Sequence, residues 1–249
     1  MKIKGIILCE DPSDQVLVGS LMETVKQWSF IRTDNHFPFQ EKSVAWYKNN
    51  NNDYFAIWSV DGCNFERAIR KIFELEKLEH STESLLIITD HDDNTASNDR
   101  PSAIYNSIHG ITPLDNYRPD DFIKNNNKWQ KVSYTAGFNT KVSMNLCYLL
   151  VPLASQGALE TYMLDALSEN SEAKREVIEQ VKQFIRGLKS QDYLRTRRQK
   201  IKAELSVSVS VFFPERMFDT LIELITQVDW SKFETTNEQF KVLTECNFF

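Results

Sequence analysis

Glycine is scarce in this chain, with seven in 249 residues. A loop-rich, many-turned all-β fold needs more positions that tolerate positive φ, so that class is disfavoured. Cys9, Cys63, Cys147 and Cys246 lie far apart and form no Cys-x-x-Cys pair, so neither a zinc module nor a dithiol redox motif is indicated. Cys9 and Cys147 sit in apolar runs and read as buried thiols, which suits a reducing cytoplasm. No apolar run approaches the length of a membrane span. The one after Met1–Lys4, Ile6–Cys9, is too short for the apolar part of a signal peptide. Basic residues are the minority, 29 against 35 acids for a net charge of −6. That argues against bulk attraction to nucleic acid, although a local basic patch can coexist with it.

With 41% hydrophobic and 26% charged residues the chain has an ordinary globular balance, and its length suits one large domain or one and a half smaller ones. Ile3–Cys9 reads as a strand. Glu10-Asp11-Pro12-Ser13-Asp14 is a turn with capping residues, and a helix follows over Gln15–Phe30, where Val16, Leu17, Leu21, Val25 and Trp28 recur at helical spacing. Phe37–Asn52 looks irregular, and Asn49–Asn52 reads as a loop. Tyr54–Val60 is a second strand, Gly62 a turn, Phe65–Leu78 a second helix and Leu85–Thr89 a third strand. Strand and helix alternate, so the expected architecture is α/β with a mostly parallel central sheet flanked by helices.

From 94 to 142 the rhythm breaks. The stretch reads as an insertion carrying a short helix over Pro101–His109 and an extended segment over Trp129–Ala136. Ser143–Val151 is a fourth strand, and Leu159–Leu167 and Ser171–Leu188 are helices. Ala203–Phe213, with its alternating serines, fits either a strand or a buried helix, and Met217–Val228 is helical. The expected organisation is an α/β core over 1–170 and a mainly helical extension over 171–249 packed on it.

The stretch Leu85–Asn94 holds the most chemistry. Four aliphatic residues lead into Asp90, Asp92 and Asp93. Strand alternation puts Asp90 and Asp92 on one side and His91 on the other. Alone, such residues make a solvated turn as readily as a site. Acids also follow the other strands: Glu10 and Asp14 after the first, Glu160 after the fourth. In a parallel sheet these strand ends share one edge, where sites form. Clustered carboxylates repel unless a cation relieves them, and oxygen donors favour Mg²⁺ or Mn²⁺ over zinc. Helix capping explains Asp14 as well as metal ligation does, and the helix dipole does the same for Glu160. The basic run Arg195, Arg197, Arg198, Lys200 and Lys202 reads either as a solvated face or as a phosphate contact.

Glu10-Asp11-Pro12-Ser13-Asp14 resembles the Glu-Gly-x-x-Asp turn of Toprim domains, and Asp90-His91-Asp92 resembles their Asp-x-Asp motif, in the same order along the chain. Gly62 stands where these domains often carry a glycine after the second strand. Gly157-Ala158-Leu159-Glu160, Lys202-Ala203-Glu204-Leu205 and the tail around Asp229-Trp230 resemble an uncharacterised Toprim-like family related to the Toprim domains of OLD-type nucleases. The resemblance implies a Mg²⁺- or Mn²⁺-dependent phosphodiester-cleaving enzyme, most simply a nuclease. In that scheme Glu10 acts at the phosphodiester or on the metal. Asp90 and Asp92 hold the metal, Asp14 and Glu160 are further ligands, and Lys202 stabilises charge on the phosphate. One departure is Asp11, which replaces the family's glycine and adds negative charge where a phosphate approaches. The chain carries no P-loop, so an ATPase of the kind found in OLD-type proteins would be a separate partner. The alternative is a non-catalytic Toprim-like domain that binds a metal, a nucleotide or a partner protein. Oligomeric state and the choice among DNA, RNA and a small phosphate compound stay open.

Overall fold

The computed structural model describes residues 2–32, 37–38, 41–60, 62, 64–76, 82–91, 96–115, 117–135, 140–153, 155–169, 171–188, 193–216 and 221–247. Asp92 and Asp93 lie outside these residues, as do Cys63, the first part of the helix expected from Met217, and Phe248 and Phe249 of the tail.

The strands are β1 Lys2–Cys9, β2 Ser29–Ile31, β3 Val44–Lys48, β4 Asp53–Ser59, β5 Thr82–Asp90, β6 Leu114–Asp115, β7 Gln130–Thr135 and β8 Lys141–Val151. They form one sheet in the order β2-β3-β4-β1-β5-β8-β7-β6. The central four, β4, β1, β5 and β8, run parallel. Antiparallel pairs extend both edges. The helices are α1 Pro12–Lys26, α2 Phe65–Glu76, α3 Ala96–Ile111, α4 Pro119–Lys124, α5 Leu159–Glu169, α6 Glu172–Gly187, α7 Arg197–Phe212, α8 Leu221–Gln227, α9 Glu234–Gln239 and α10 Lys241–Thr244. The expected class, a parallel-centred α/β sheet with a helical C-terminal region, is the one observed. Among the described residues no helix is long and apolar enough to cross a membrane.

Alternation along the central strands divides two cores. Ile7, Cys9, Leu86, Ile88, Cys147 and Leu149 face α1, α5 and the C-terminal helices. Ile6, Leu8, Leu85, Ile87, Leu146 and Tyr148 face α2, α3 and α4. Both faces of β5 are covered, which is why its sequence is a continuous aliphatic run rather than an alternating one. Ile178, Leu205, Val209, Trp230, Phe240 and Leu243 belong to the same core as β1 and β5, so the C-terminal helices are part of one packed body.

Several boundaries differ from the sequence reading, each for a local reason. The first helix starts at Pro12, whose fixed φ suits a first turn, and ends at Lys26. Ser29–Ile31 then pairs with β3 as an edge strand. The stretch expected to be irregular contains β3, whose Val44, Trp46 and Tyr47 are buried. The asparagine run is the β3–β4 hairpin turn. Asn49 Oδ1 accepts the N–H groups of Asn51 at 2.9 Å and Asp53 at 3.0 Å, and Asn52 takes a left-handed φ of 60°. Asparagine is among the few residues that adopt that conformation readily. The inserted segment is longer in helix than expected: α3 begins at Ala96 and Pro101 lies inside it. The ambiguous Ala203–Phe213 stretch is helical, continuing α7. Thr196 caps it by accepting the Gln199 N–H, and Ser210 Oγ bonds the Ser206 carbonyl at 2.8 Å, so a serine hydroxyl is satisfied within the helix.

Candidate functional site

The carboxyl ends of the four parallel strands lie along one edge, because Cys9 registers with Ser59 and Asp90 with Val151. Acids collect there. Glu10 follows β1, Asp14 sits in the first turn of α1, Asp90 ends β5 and Glu160 sits in the first turn of α5. All four are nearly sealed from solvent, at 1%, 6%, 4% and 4% exposure. Buried carboxylates require partners, and the partners here define the site.

Glu10 Oε1 accepts the Asp90 N–H at 3.1 Å and pairs with Arg100 of α3. The same guanidinium donates to the Asp90 carbonyl at 3.0 Å, so Arg100 ties the ends of β1 and β5 together. Asp90 Oδ1 accepts the N–H of Leu159, the first residue of α5, at 3.2 Å. A residue at a strand end thus caps a helix 69 positions away. Asp90 Oδ2 lies 3.6 Å from Arg198. Glu160 Oε1 lies 3.6 Å from Lys202, whose ammonium is also 3.8 Å from Asp11. Asp14 Oδ2 accepts the Asp11 N–H at 2.9 Å. Its capping function is therefore real, and it coexists with a place among the other acids.

Among the described residues five carboxyl groups (Glu10, Asp11, Asp14, Asp90, Glu160) meet three cations (Arg100, Arg198, Lys202), an excess of two negative charges if all are ionised. Asp14 registers that excess. Burial raises its pKa to about 7, the Asp11 N–H opposes this, and the carboxylates of Asp11, Glu10 and Glu160 add to the rise. Arg198 shows the complement. Burial pulls its pKa down, but Asp11, Asp90, Glu160 and Glu10 together push it above the usual arginine value.

Every described candidate reaches this edge: Glu10, Asp14, Asp90, Glu160 and Lys202. Asp92 lies outside the described residues. His91 serves the loop after β8. Its N–H donates to the Val151 carbonyl at 2.8 Å, its carbonyl accepts the Gly157 N–H at 2.7 Å, and Nδ1 lies 3.2 Å from the Pro152 carbonyl. Gly62 has φ 75° and donates its N–H to the Glu10 carbonyl at 3.1 Å, so a left-handed residue closes the turn that carries Glu10. Asp11 is not bare negative charge, because Arg198 pairs with it and Lys202 stands nearby.

Sequence reasoning missed two members. Arg198 was only one of a basic run. Its spacing of four from Lys202 is the available signal, since it puts both on one helical face. Arg100 was hidden because Pro101 looked like a helix start.

The donor chemistry suits a hard divalent ion, being oxygen throughout, buried and incompletely neutralised. Among the described residues, however, no three carboxylate, thiolate or imidazole groups stand where they could jointly hold one. The acids are instead turned toward Arg100, Arg198, Lys202 and backbone N–H groups.

A family model described as "Protein of unknown function (DUF3226)" matches residues 4–245. No curated protein matches the chain. A solved structure, that of a hypothetical protein, PH0156, from Pyrococcus horikoshii OT3, aligns with a TM-score of 0.47 at 12% identity, covering 92% of this chain and 96% of that one.

Proposed function

The chain belongs to the DUF3226 family, and we propose that it is a Toprim-like, Mg²⁺- or Mn²⁺-dependent hydrolase of phosphodiester bonds, acting on nucleic acid. One observation carries the reading: four nearly sealed carboxyl groups from the ends of separate parallel strands and the helices that follow them meet at one edge with three cations. An edge of purely structural ion pairs has no need of an acid excess. Removing charged groups from water costs free energy that pairing seldom recovers in full.

By the resemblance Asp90 and Asp92 would hold the ion, with Asp14 and Glu160 as further ligands; since no three of the described acids converge as they stand, Asp90 and Glu160 would first have to turn from Arg198 and Lys202. When bound, such an ion supplies positive charge to phosphate oxygens and makes a water molecule more acidic. The chain's own groups do the rest. Arg198 and Lys202 offer N–H donors to the phosphate and offset Asp11. Arg100 and the Asp90 N–H orient Glu10. Glu10 accepts a proton from the attacking water as the water oxygen bonds to phosphorus, and the leaving oxygen takes a proton from solvent as the old P–O bond breaks. By the same resemblance, an ATPase on a separate chain is the proposed partner.

The present pairings favour a second reading, in which Arg100, Arg198 and Lys202 neutralise the acids and the edge binds phosphate groups without cleaving them. The test is incubation of plasmid, single-stranded DNA and RNA with Mg²⁺ or Mn²⁺, comparing wild type with Glu10→Gln and Asp90→Asn. The hydrolase reading expects cleavage by wild type and loss in both variants. Cleavage that survives both substitutions sinks the assignment. Binding of inorganic phosphate that Arg198→Ala abolishes, without cleavage of any substrate, establishes the second reading instead.

A further inference from the structure

Beside the acidic edge, between the start of α2 and the middle of α3, lies a cavity of about 230 Å³. Phe65, Ala103 and Ile104 give it an apolar wall, and Glu66, Ser107 and Arg100 give it a polar rim. Arg100 belongs to both places. Its Nη1 pairs with Glu10 and donates to the Asp90 carbonyl, while its side chain lines the cavity. Cavity and acidic edge therefore adjoin at Arg100, which they share.

The size limits the occupant. Pockets for drug-sized ligands start near ~300 Å³, so this one suits a single ring system. The lining limits the chemistry. A guanidinium and an aromatic side chain both favour the face of a flat ring. The Ser107 hydroxyl already donates to the Ala103 carbonyl at 2.9 Å, so toward a ligand it presents an acceptor, as does the Glu66 carboxylate, whose Oε1 accepts from Arg70 at 3.0 Å and whose Oε2 is the oxygen left for a ligand. Two acceptors at the rim of an apolar slot match the N–H groups on the edge of a heterocycle.

We infer that this cavity takes one unpaired nucleobase, whose attached phosphate lies at the acidic edge. The inference rests on the phosphodiester reading for the placement of the phosphate, and it narrows the substrate to single-stranded nucleic acid or a nucleotide. A base inside a duplex reaches such a slot only after leaving its stack.

The experiment titrates the full chain with AMP and with ribose 5-phosphate, which lacks the base. Wild type binds AMP about tenfold or more tightly than ribose 5-phosphate, the factor that one stacked base supplies. Ala103→Trp on the exposed side of α3 and, separately, Ser107→Phe fill the cavity. In each, AMP binding falls to the ribose 5-phosphate level, ribose 5-phosphate binding is unchanged and the circular dichroism spectrum is retained. Equal affinities in wild type overturn the inference, as does an AMP advantage that survives in whichever variant keeps its fold. The two readings fail separately. A base preference without cleavage of any substrate leaves the cavity assignment standing and removes the hydrolase, whereas cleavage without a base preference does the reverse.

Discussion

Asp90 does two jobs that two substitutions separate. Its Oδ1 accepts the Leu159 N–H at the start of α5, and its charge belongs to the acidic edge. Asp90→Ala removes both. The helix loses its cap, worth about 1 kcal/mol, and a buried donor is left unsatisfied, which adds roughly 1–2 kcal/mol. The expected loss of stability is about 2–3 kcal/mol. Asp90→Asn keeps an oxygen for the Leu159 N–H and changes only the charge, so its cost should stay below about 1 kcal/mol. Urea unfolding at pH 7 measures both, with similar m-values indicating an unchanged unfolding transition. Mn²⁺ binding and cleavage, measured on the same samples, should be lost in both variants. Equal destabilisation by alanine and asparagine would refute the capping argument. An asparagine variant with undiminished metal-dependent cleavage would show that the Asp90 charge is not used.

Two further expectations concern stability. The folded-state pKa of Asp14, about 7, lies above its ordinary value of 3.8, so the native state holds this proton more tightly than the unfolded chain does. Stability from that proton is fully present below pH ~4 and lost as pH rises through ~7. Asp14→Asn should therefore gain about 2–4 kcal/mol over wild type at pH 8.5 and lose that advantage by pH 4. Unfolding midpoints across that range check it, and a difference independent of pH counts against it. At Gly19 in α1, a Cβ would lie 2.0 Å from Tyr47 Oη and 2.9 Å from its Cζ. Tyr47 is buried and stacked on Phe55 at 4.8 Å, so it has little room to yield. Gly19→Ala should lose about 1–2 kcal/mol despite the better helix propensity of alanine, and Tyr47→Phe in that background should recover part of the loss. A thermal midpoint at or above wild type would contradict the packing account.

The parallel centre of the sheet was legible because two-sided burial leaves an unmistakable mark, the aliphatic runs of β1, β5 and β8. The edge strands were not. β2 has three residues and β3 five, too short for a periodic signal against the neighbouring asparagines and Pro38. Ser206, Ser208 and Ser210 imitated a strand, whereas the helix rested on distant contacts made by Leu205 and Val209. At the site, Glu10, Asp90 and Glu160 could be grouped because topology places strand ends together. Arg100, ten residues after Asp90, could not because Pro101 reads as the start of a helix that in fact begins at Ala96, and Arg198 could not because its partners depend on where the distant helix α7 docks.

Asp11 and Arg198 stand 187 positions apart in the chain. Closing a loop of that length costs about 5 kcal/mol of chain entropy, whereas a partly exposed ion pair returns about 1 kcal/mol or less. The pair cannot draw α7 into place. The apolar contacts of Leu205 and Val209 with the shared core must do so, and the cations are then delivered to the acids. This orders events during synthesis. The carboxylates of residues 10–14 leave the ribosome before Arg198 and Lys202, and Arg198 follows Asp11 187 residues later. In the interval, Arg100 is, among the described residues, the one cation of the edge already made, and the rest of the counter-charge for residues 10–14 and Asp90 has to come from the surrounding solution.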